Sequence, residues 1–221
     1  MARPRITLYL DTVSPFAYEA FYVLRHDPSF KAFEINYVPI FLGGLMKNCG
    51  NTPPMNIKNK DKWIAAERLR WAKAFSIPLK EDMPQNFPPL TLNTMRALAA
   101  IHTADGKNQG RLVRTLDVLF HKYWVDHTPT HETETLRSIL TDILGEREAE
   151  EVLADAATVG KKALMENTDR AFDDGAFGLP WMICTNTEGQ TEAFWGVDHL
   201  GQVLQFLGAE KPRQGGWKAV L

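Results

Sequence analysis

Cysteine is scarce in this chain: two residues, Cys49 and Cys184, among 221. Neither has a partner at Cys-x-x-Cys spacing. Two cysteines in a chain this long do not make the staple framework that small secreted domains rely on, so both read as inert, buried thiols. There is no basic excess. The formal net charge of −2 gives no footprint for nucleic acid or for an anionic membrane surface. No run approaches the ~20 apolar residues that span a bilayer. The N-terminal "MARPRITLYLDT" is basic, but its apolar stretch is too short for a signal peptide and Asp11 interrupts it. The C-terminal "AVL" echoes a peroxisomal Ser-Lys-Leu address only faintly. The expected location is therefore the cytoplasm or an organelle matrix, mitochondrion and peroxisome included. Also missing are a Gly-x-Ser-x-Gly elbow and a Gly-x-Gly-x-x-Gly turn after a strand, which removes support for a serine hydrolase or a nucleotide site. His127 and His131 have the four-residue spacing of zinc ligands, with Asp126 adjacent. Pro129 lies between them and no third ligand is evident, so no metal is expected.

What is present begins with pattern. The chain is 44% hydrophobic, enough for one large domain or one domain carrying an insertion. "RITLYL" (5–10) alternates as a strand. Ser14 to about Arg25 reads as a helix with Phe16, Ala20 and Val23 or Leu24 on one side. "FEINYVPIF" (33–41) reads as a second strand, ended by Pro39 or by Gly43-Gly44. From about Trp63 to Asp173 the period becomes helical, through "KWIAAERLRWAKAF", "LNTMRALAAIH" with Asn93 as a candidate N-cap, "GRLVRTLDVLFHKYW", "ETETLRSILTDIL", "REAEEVLADA" and "GKKALMENTDRAF". Strand-type sequence returns in "LPWMICTN" and "TEAFWG" around a Gly189 hairpin, and "VDHLGQVLQFLG" reads as a final helix with Asp198 at its start. The order β-α-β, a helical block, then β-β-α predicts an α/β protein: a thioredoxin-like fold with a large inserted helical domain. Residues 1–58 and 174–221 would form the thioredoxin-like part and 59–173 the all-helical insert.

In that fold a redox turn joins the first strand to the first helix, and here the turn reads "SPFA" (14–17). Serine forms no disulfide, so dithiol exchange at this turn is excluded. Ser-Pro is also a common helix start, with Ser14 as N-cap and Pro15 at N1, where a missing N–H does no harm. The two readings are compatible. A capping oxygen accepts from a backbone N–H while its hydroxyl proton stays free to donate. A helix N-terminus favours anions. A free thiol of pKa ~8.5 is mostly protonated at neutral pH, and such surroundings lower that value. Stabilising the thiolate of a bound thiol is the chemistry that remains, which suggests a glutathione user. By the same architecture Pro180, just before the third strand, takes the place of the fold's cis-proline.

Four motifs in order give the resemblance: "DTVSPFAY" (11–18), "FLGGLMKNCGNTPP" (41–54), "DDGAFGLP" (173–180) and "FWGVDHL" (194–200). Over nearly its whole length the chain resembles the kappa-class glutathione transferases and the bacterial 2-hydroxychromene-2-carboxylate isomerases, whose fold is DsbA-like. The resemblance implies glutathione as co-substrate, no metal, a small electrophile or a peroxide as second substrate, and a homodimer. It implies that Ser14 hydrogen-bonds the glutathione sulfur, with Pro15 and Phe16 lining the same turn. Asn51 would lie near the active site, although "CGNTPP" suits a plain turn equally well. Lys60 would meet a glutathione carboxylate, with Lys58 and Lys62 as rivals and a solvated charge as the alternative. Leu179 would pair its backbone with the cysteinyl unit beside Pro180; otherwise it is core. Asp198 would reach the γ-glutamyl ammonium, or serve only as a cap. Val197 and Ala17 stand where mammalian members carry serine, so at Val197 a backbone N–H is left to bind the γ-glutamyl carboxylate. The expected activity is a glutathione transferase, the alternative a glutathione-dependent cis–trans isomerase. A non-catalytic thioredoxin-fold binding or chaperone module is a third reading, and a dithiol oxidoreductase is disfavoured.

Overall fold

A computed structural model describes residues 3–220; Met1, Ala2 and Leu221, hence the end of "AVL" and the outermost residues of the expected thioredoxin-like part, lie outside the described residues. Strand β1 (Arg5–Leu10) pairs in parallel with β2 (Glu34–Pro39) and antiparallel with β3 (Trp181–Thr185). β3 pairs antiparallel with β4 (Thr191–Trp195), giving the sheet order β2-β1-β3-β4. β1 lies inside the sheet with both faces covered. Its alternation therefore gives way to continuous burial, and Leu8, Tyr9 and Leu10 are all enclosed. β4 is an edge strand, and "TEA" at its start is exposed.

Helix α1 (Pro15–His26) links β1 to β2 and buries Ala17, Tyr18, Ala20, Phe21, Val23 and Leu24. Phe16 departs from the expected stripe. It is half-buried and turns toward Trp63, with ring centroids 6.5 Å apart.

The sequence pattern missed helix α2 (Leu42–Asn48). Gly43-Gly44 reads as a break, but both glycines lie against the Phe41 ring, where a Cβ on Gly43 would crowd Phe41 Cζ at 2.9 Å. Close packing, not chain reversal, calls for these glycines. The helical block follows: α3 (Lys60–Phe75), α4 (Leu92–Asp105), α5 (Gly110–Trp124), α6 (Thr133–Leu144), α7 (Glu146–Ala156) and α8 (Val159–Asp173). α4 and α8 pack closely where a Cβ on Gly160 would collide with the Arg96 carbonyl. Asn93 is not the cap of α4; it sits within the first turn, and Thr91 holds the cap position with its hydroxyl committed elsewhere.

The last helix also starts differently from expectation. Val197–His199 form a 3-10 turn, and α9 (Leu200–Phe206) follows, with Gly208 just past it at φ +80°. One hydrophobic core runs from the sheet into the helical block. Trp217 closes it near the C-terminus, packing on Phe30 and Phe75 while its Nε1 donates to Asp27 at 2.8 Å.

Candidate active site

The turn after β1 is built from short-range hydrogen bonds. Ser14 has extended backbone (φ −88°, ψ 117°) and its Oγ accepts the Ala17 N–H at 3.1 Å. Its own N–H donates to Asp11 O, and its carbonyl accepts the Tyr18 N–H, both at 3.1 Å. Pro15 occupies N1, so the Phe16 N–H is the first-turn donor left without a partner among the described residues. Ser14 is 5% exposed. Among the described residues its hydroxyl hydrogen meets no acceptor. The cap is real, and it leaves the proton free.

Asp11 braces this turn, a role the sequence did not suggest beyond its place in "DTVSPFAY". Its buried carboxylate accepts from Leu42 N–H (2.9 Å), the Thr91 hydroxyl (2.8 Å) and Val13 N–H (3.2 Å). Burial pushes its pKa up to about 6, against hydrogen bonds that pull the other way. Trp124 Nε1 donates to Thr12 O at 3.0 Å. The turn is thus tied to the starts of α2 and α4 and to the end of α5. The available signal was a carboxylate directly following a strand that ends in the apolar run Leu8, Tyr9 and Leu10, where only a well-bonded one is tolerated.

The Leu179–Pro180 peptide is cis. Tyr9 pairs with Trp181 in the antiparallel β1–β3 register. Continuing that register brings Pro180 and Leu179 alongside Leu10 and Asp11, at the Ser14 turn. Pro180 O accepts the Gly196 N–H at 3.1 Å, while neither backbone polar group of Leu179 has a partner among the described residues. The 3-10 turn of Val197–His199 packs against α1. Val197 is buried, and no hydrogen bond of the described residues uses its N–H. Asp198 does not cap a helix. Its carboxylate lies 3.3 Å from His199 Nδ1 and folds back over Gly196, where any Cβ would strike it.

Asn51 reaches this edge indirectly. Its Nδ2 donates to Phe177 O at 2.8 Å, two residues before Leu179, and its Oδ1 accepts the Thr52 N–H. Lys60 is the exposed first residue of α3, and no acceptor meets its ammonium, or those of Lys58 and Lys62, among the described residues. Ser14, Pro15, Phe16, Leu179, Pro180 and Val197 therefore share one neighbourhood, with Asp198 beside it and Asn51 bracing it. Lys60 stands apart, one turn before the Trp63 that meets Phe16.

Other groups fall elsewhere. Burial pushes the Cys184 thiol up to about 12, which keeps it protonated, and both cysteines are unpaired. Cys49 is half-buried, not fully enclosed as expected. No cluster of three or more His, Cys, Asp or Glu that could hold a metal occurs among the described residues. A cleft of about 670 Å³, lined by Arg5, Glu34, Asn36 and Thr185, lies at the opposite end of the strands from Ser14.

Residues 5–208 match the family model for the DSBA-like thioredoxin domain. The chain belongs to this family. Within the DSBA-like family it is 28% identical to glutathione S-transferase kappa 1 of Caenorhabditis elegans, over 95% of this chain and 93% of that protein. It is also 28% identical to the 2-hydroxychromene-2-carboxylate isomerase of Pseudomonas sp. strain C18, over 92% and 90%. A solved structure of a 2-hydroxychromene-2-carboxylate isomerase superposes with a TM-score of 0.74, 23% identity and coverage of 92% of this chain and 94% of that one. The α/β thioredoxin-like fold expected from the element order, DsbA-like by the resemblance, is thus the fold of the protein.

Proposed function

We propose that this DSBA-like protein is a glutathione transferase of the kappa type. The observation that carries the reading is the Ser14 hydroxyl, whose oxygen caps α1 while its hydrogen remains unspent beside the open backbone of Leu179. Glutathione would lay its cysteinyl unit along Leu179 and bring its thiol to Ser14. The hydroxyl and the Phe16 N–H would donate to the thiolate, and the helix N-terminus would add a favourable field. Val197 N–H would take the γ-glutamyl carboxylate, Asp198 its ammonium, and Lys60 or a neighbouring lysine the glycyl carboxylate. The thiolate sulfur would then form a bond to an electrophilic carbon, and the leaving group would depart with the bonding pair. The division into residues 1–58 with 174–221 and an insert 59–173, and the homodimer, belong to the same reading. Among the described residues no helix is long and apolar enough to cross a membrane.

Titration of bound glutathione by thiolate absorbance tests the role of Ser14. Ser14→Ala is expected to raise the thiol pKa by about one unit, leaving roughly tenfold less thiolate at neutral pH. The lost cap should cost about 1 kcal/mol without unfolding the protein. An unchanged titration removes Ser14 from the chemistry. A second reading, a glutathione-dependent cis–trans isomerase, is supported by equal identity to the Pseudomonas isomerase. Mass spectrometry of products separates the two, because an isomerase returns its thiol and leaves a sulfur-free product.

A further inference from the structure

The histidine pair that the sequence offered as failed zinc ligands lies in a different arrangement. His127 and His131 line a cavity of about 440 Å³ between the loop after α3 and the loop after α5, together with Tyr123, Lys80 and Glu132. Tyr123 is 3% exposed, and its hydroxyl has no partner. His127 Nε2 and His131 Nδ1 are likewise buried without partners among the described residues. Three orphaned polar atoms in one cavity are unusual, since buried polar groups are nearly always satisfied. The volume falls in the range of small-molecule sites. Two of the cavity's residues, Asn86 and His127, hold left-handed backbone (φ 56° and 61°). Such conformations persist where the surrounding structure over-determines them.

The donor inventory selects the ligand class. The Tyr123 hydroxyl and the Lys80 ammonium can give protons to one acceptor, and each imidazole adds one in the tautomer that carries its hydrogen on the orphaned nitrogen. Desolvation holds the Tyr123 hydroxyl far above neutral pH, so it remains a donor. A cation would face Lys80 and find no three-ligand set, and an apolar guest would leave all three buried groups unsatisfied. Arg68, whose Nη1 donates to Lys80 O at 2.7 Å, adds positive charge behind the loop, whereas Glu132 and Asp82 carry negative charge nearby. We propose that this cavity is a binding site for a small organic oxyanion, a carboxylate or a phosphate monoester, whose oxygens accept from Tyr123, His127, His131 and Lys80. It is separate from the Ser14 site. Trp124 stands between them, stacking edge-on with Tyr123 while its Nε1 reaches the Ser14 turn at Thr12 O.

The test is an NMR titration of the two histidine rings with inorganic phosphate and, separately, malonate, at constant ionic strength against sodium chloride. The expected result is a saturable shift of both His127 and His131 with at least one of the two anions. The anion that saturates at lower concentration identifies the headgroup. Tyr123→Phe keeps the ring and removes the donor, and it should weaken that binding about tenfold. Lys80→Gln, an exposed change, should weaken it similarly and serves if Tyr123→Phe does not fold. Shifts that never saturate, shifts matched by chloride, or an affinity indifferent to both substitutions would overturn the proposal.

Discussion

Two carboxylates flank the candidate nucleophile-binding serine, and both are completely enclosed. Asp11, three residues before Ser14, receives three hydrogen bonds, whereas Glu19, five residues after it, receives none among the described residues. Burial raises the pKa of each, to about 6 for Asp11 and well above the usual range for Glu19. The difference lies in what surrounds them. Asp11 sits in a turn, where backbone N–H groups are available by construction. Glu19 sits inside a helix whose N–H groups are already used, and it faces the buried guanidinium of Arg68 on α3. Asp11 therefore shapes the site by accepting hydrogen bonds as an anion at neutral pH. Burial raises the Glu19 pKa well above its ordinary value, and the positive charge of Arg68 on α3 opposes that rise.

The largest expected effect comes from removing the partner on the Glu19 side. Arg68 Nη1 and Nη2 donate to the carbonyls of Lys80 and Glu81, so the guanidinium ties α3 to the loop that precedes α4. Arg68→Met would strand both carbonyls and remove the positive charge that opposes the rise in the Glu19 pKa. A loss of about 3 kcal/mol is expected, measured as the midpoint of urea unfolding at pH 7. If stability barely changes, Arg68 is not the organising group of this region.

Asp11→Asn should come next. Its amide would turn an NH2 group toward a donor that now meets oxygen, costing about 1–3 kcal/mol, and the Ser14 turn should loosen with a fall in turnover. The pH profile distinguishes this from simple damage. Asp11 has a folded pKa raised above its unfolded value, so between about pH 4 and 6 the folded state binds more protons. Its contribution is fullest below about pH 4 and is lost as pH rises to about 6, a change of about 3 kcal/mol. The Asn variant should lack that component of the slope. An identical slope in both proteins would mean that Asp11 titrates normally.

These contrasts show what was legible in the sequence. The β-α-β and β-β-α ends and the Ser-Pro cap were readable because each is a local pattern, and the proline before β3 followed from the architecture those ends imply. The brace at Asp11 was not, because two of its three donors come from residues 31 and 80 positions away. α2 was hidden because its glycines answer to the Phe41 ring and not to helix propensity. The histidine pair was visible as spacing, but its surroundings depend on how two loops meet. Phe16 looked like core by periodicity and instead meets Trp63, since α3 crosses the turn in a way no local pattern encodes.

The smallest effect is expected from Glu19→Gln, and it is the sharpest test of the comparison. If desolvation keeps Glu19 protonated, the amide replaces a neutral acid of nearly the same shape. Stability at pH 5 should then change by less than about 1 kcal/mol. The sign should turn as pH rises. A carboxyl whose folded pKa is raised contributes stability at low pH and loses it as pH climbs toward that folded value, whereas glutamine does not titrate. The variant should therefore gain on the parent protein as the pH is raised, the opposite of what a carboxylate with a lowered pKa would show. A variant that instead loses stability steadily with rising pH would show that Glu19 is ionised and paired with Arg68, and the contrast with Asp11 would disappear.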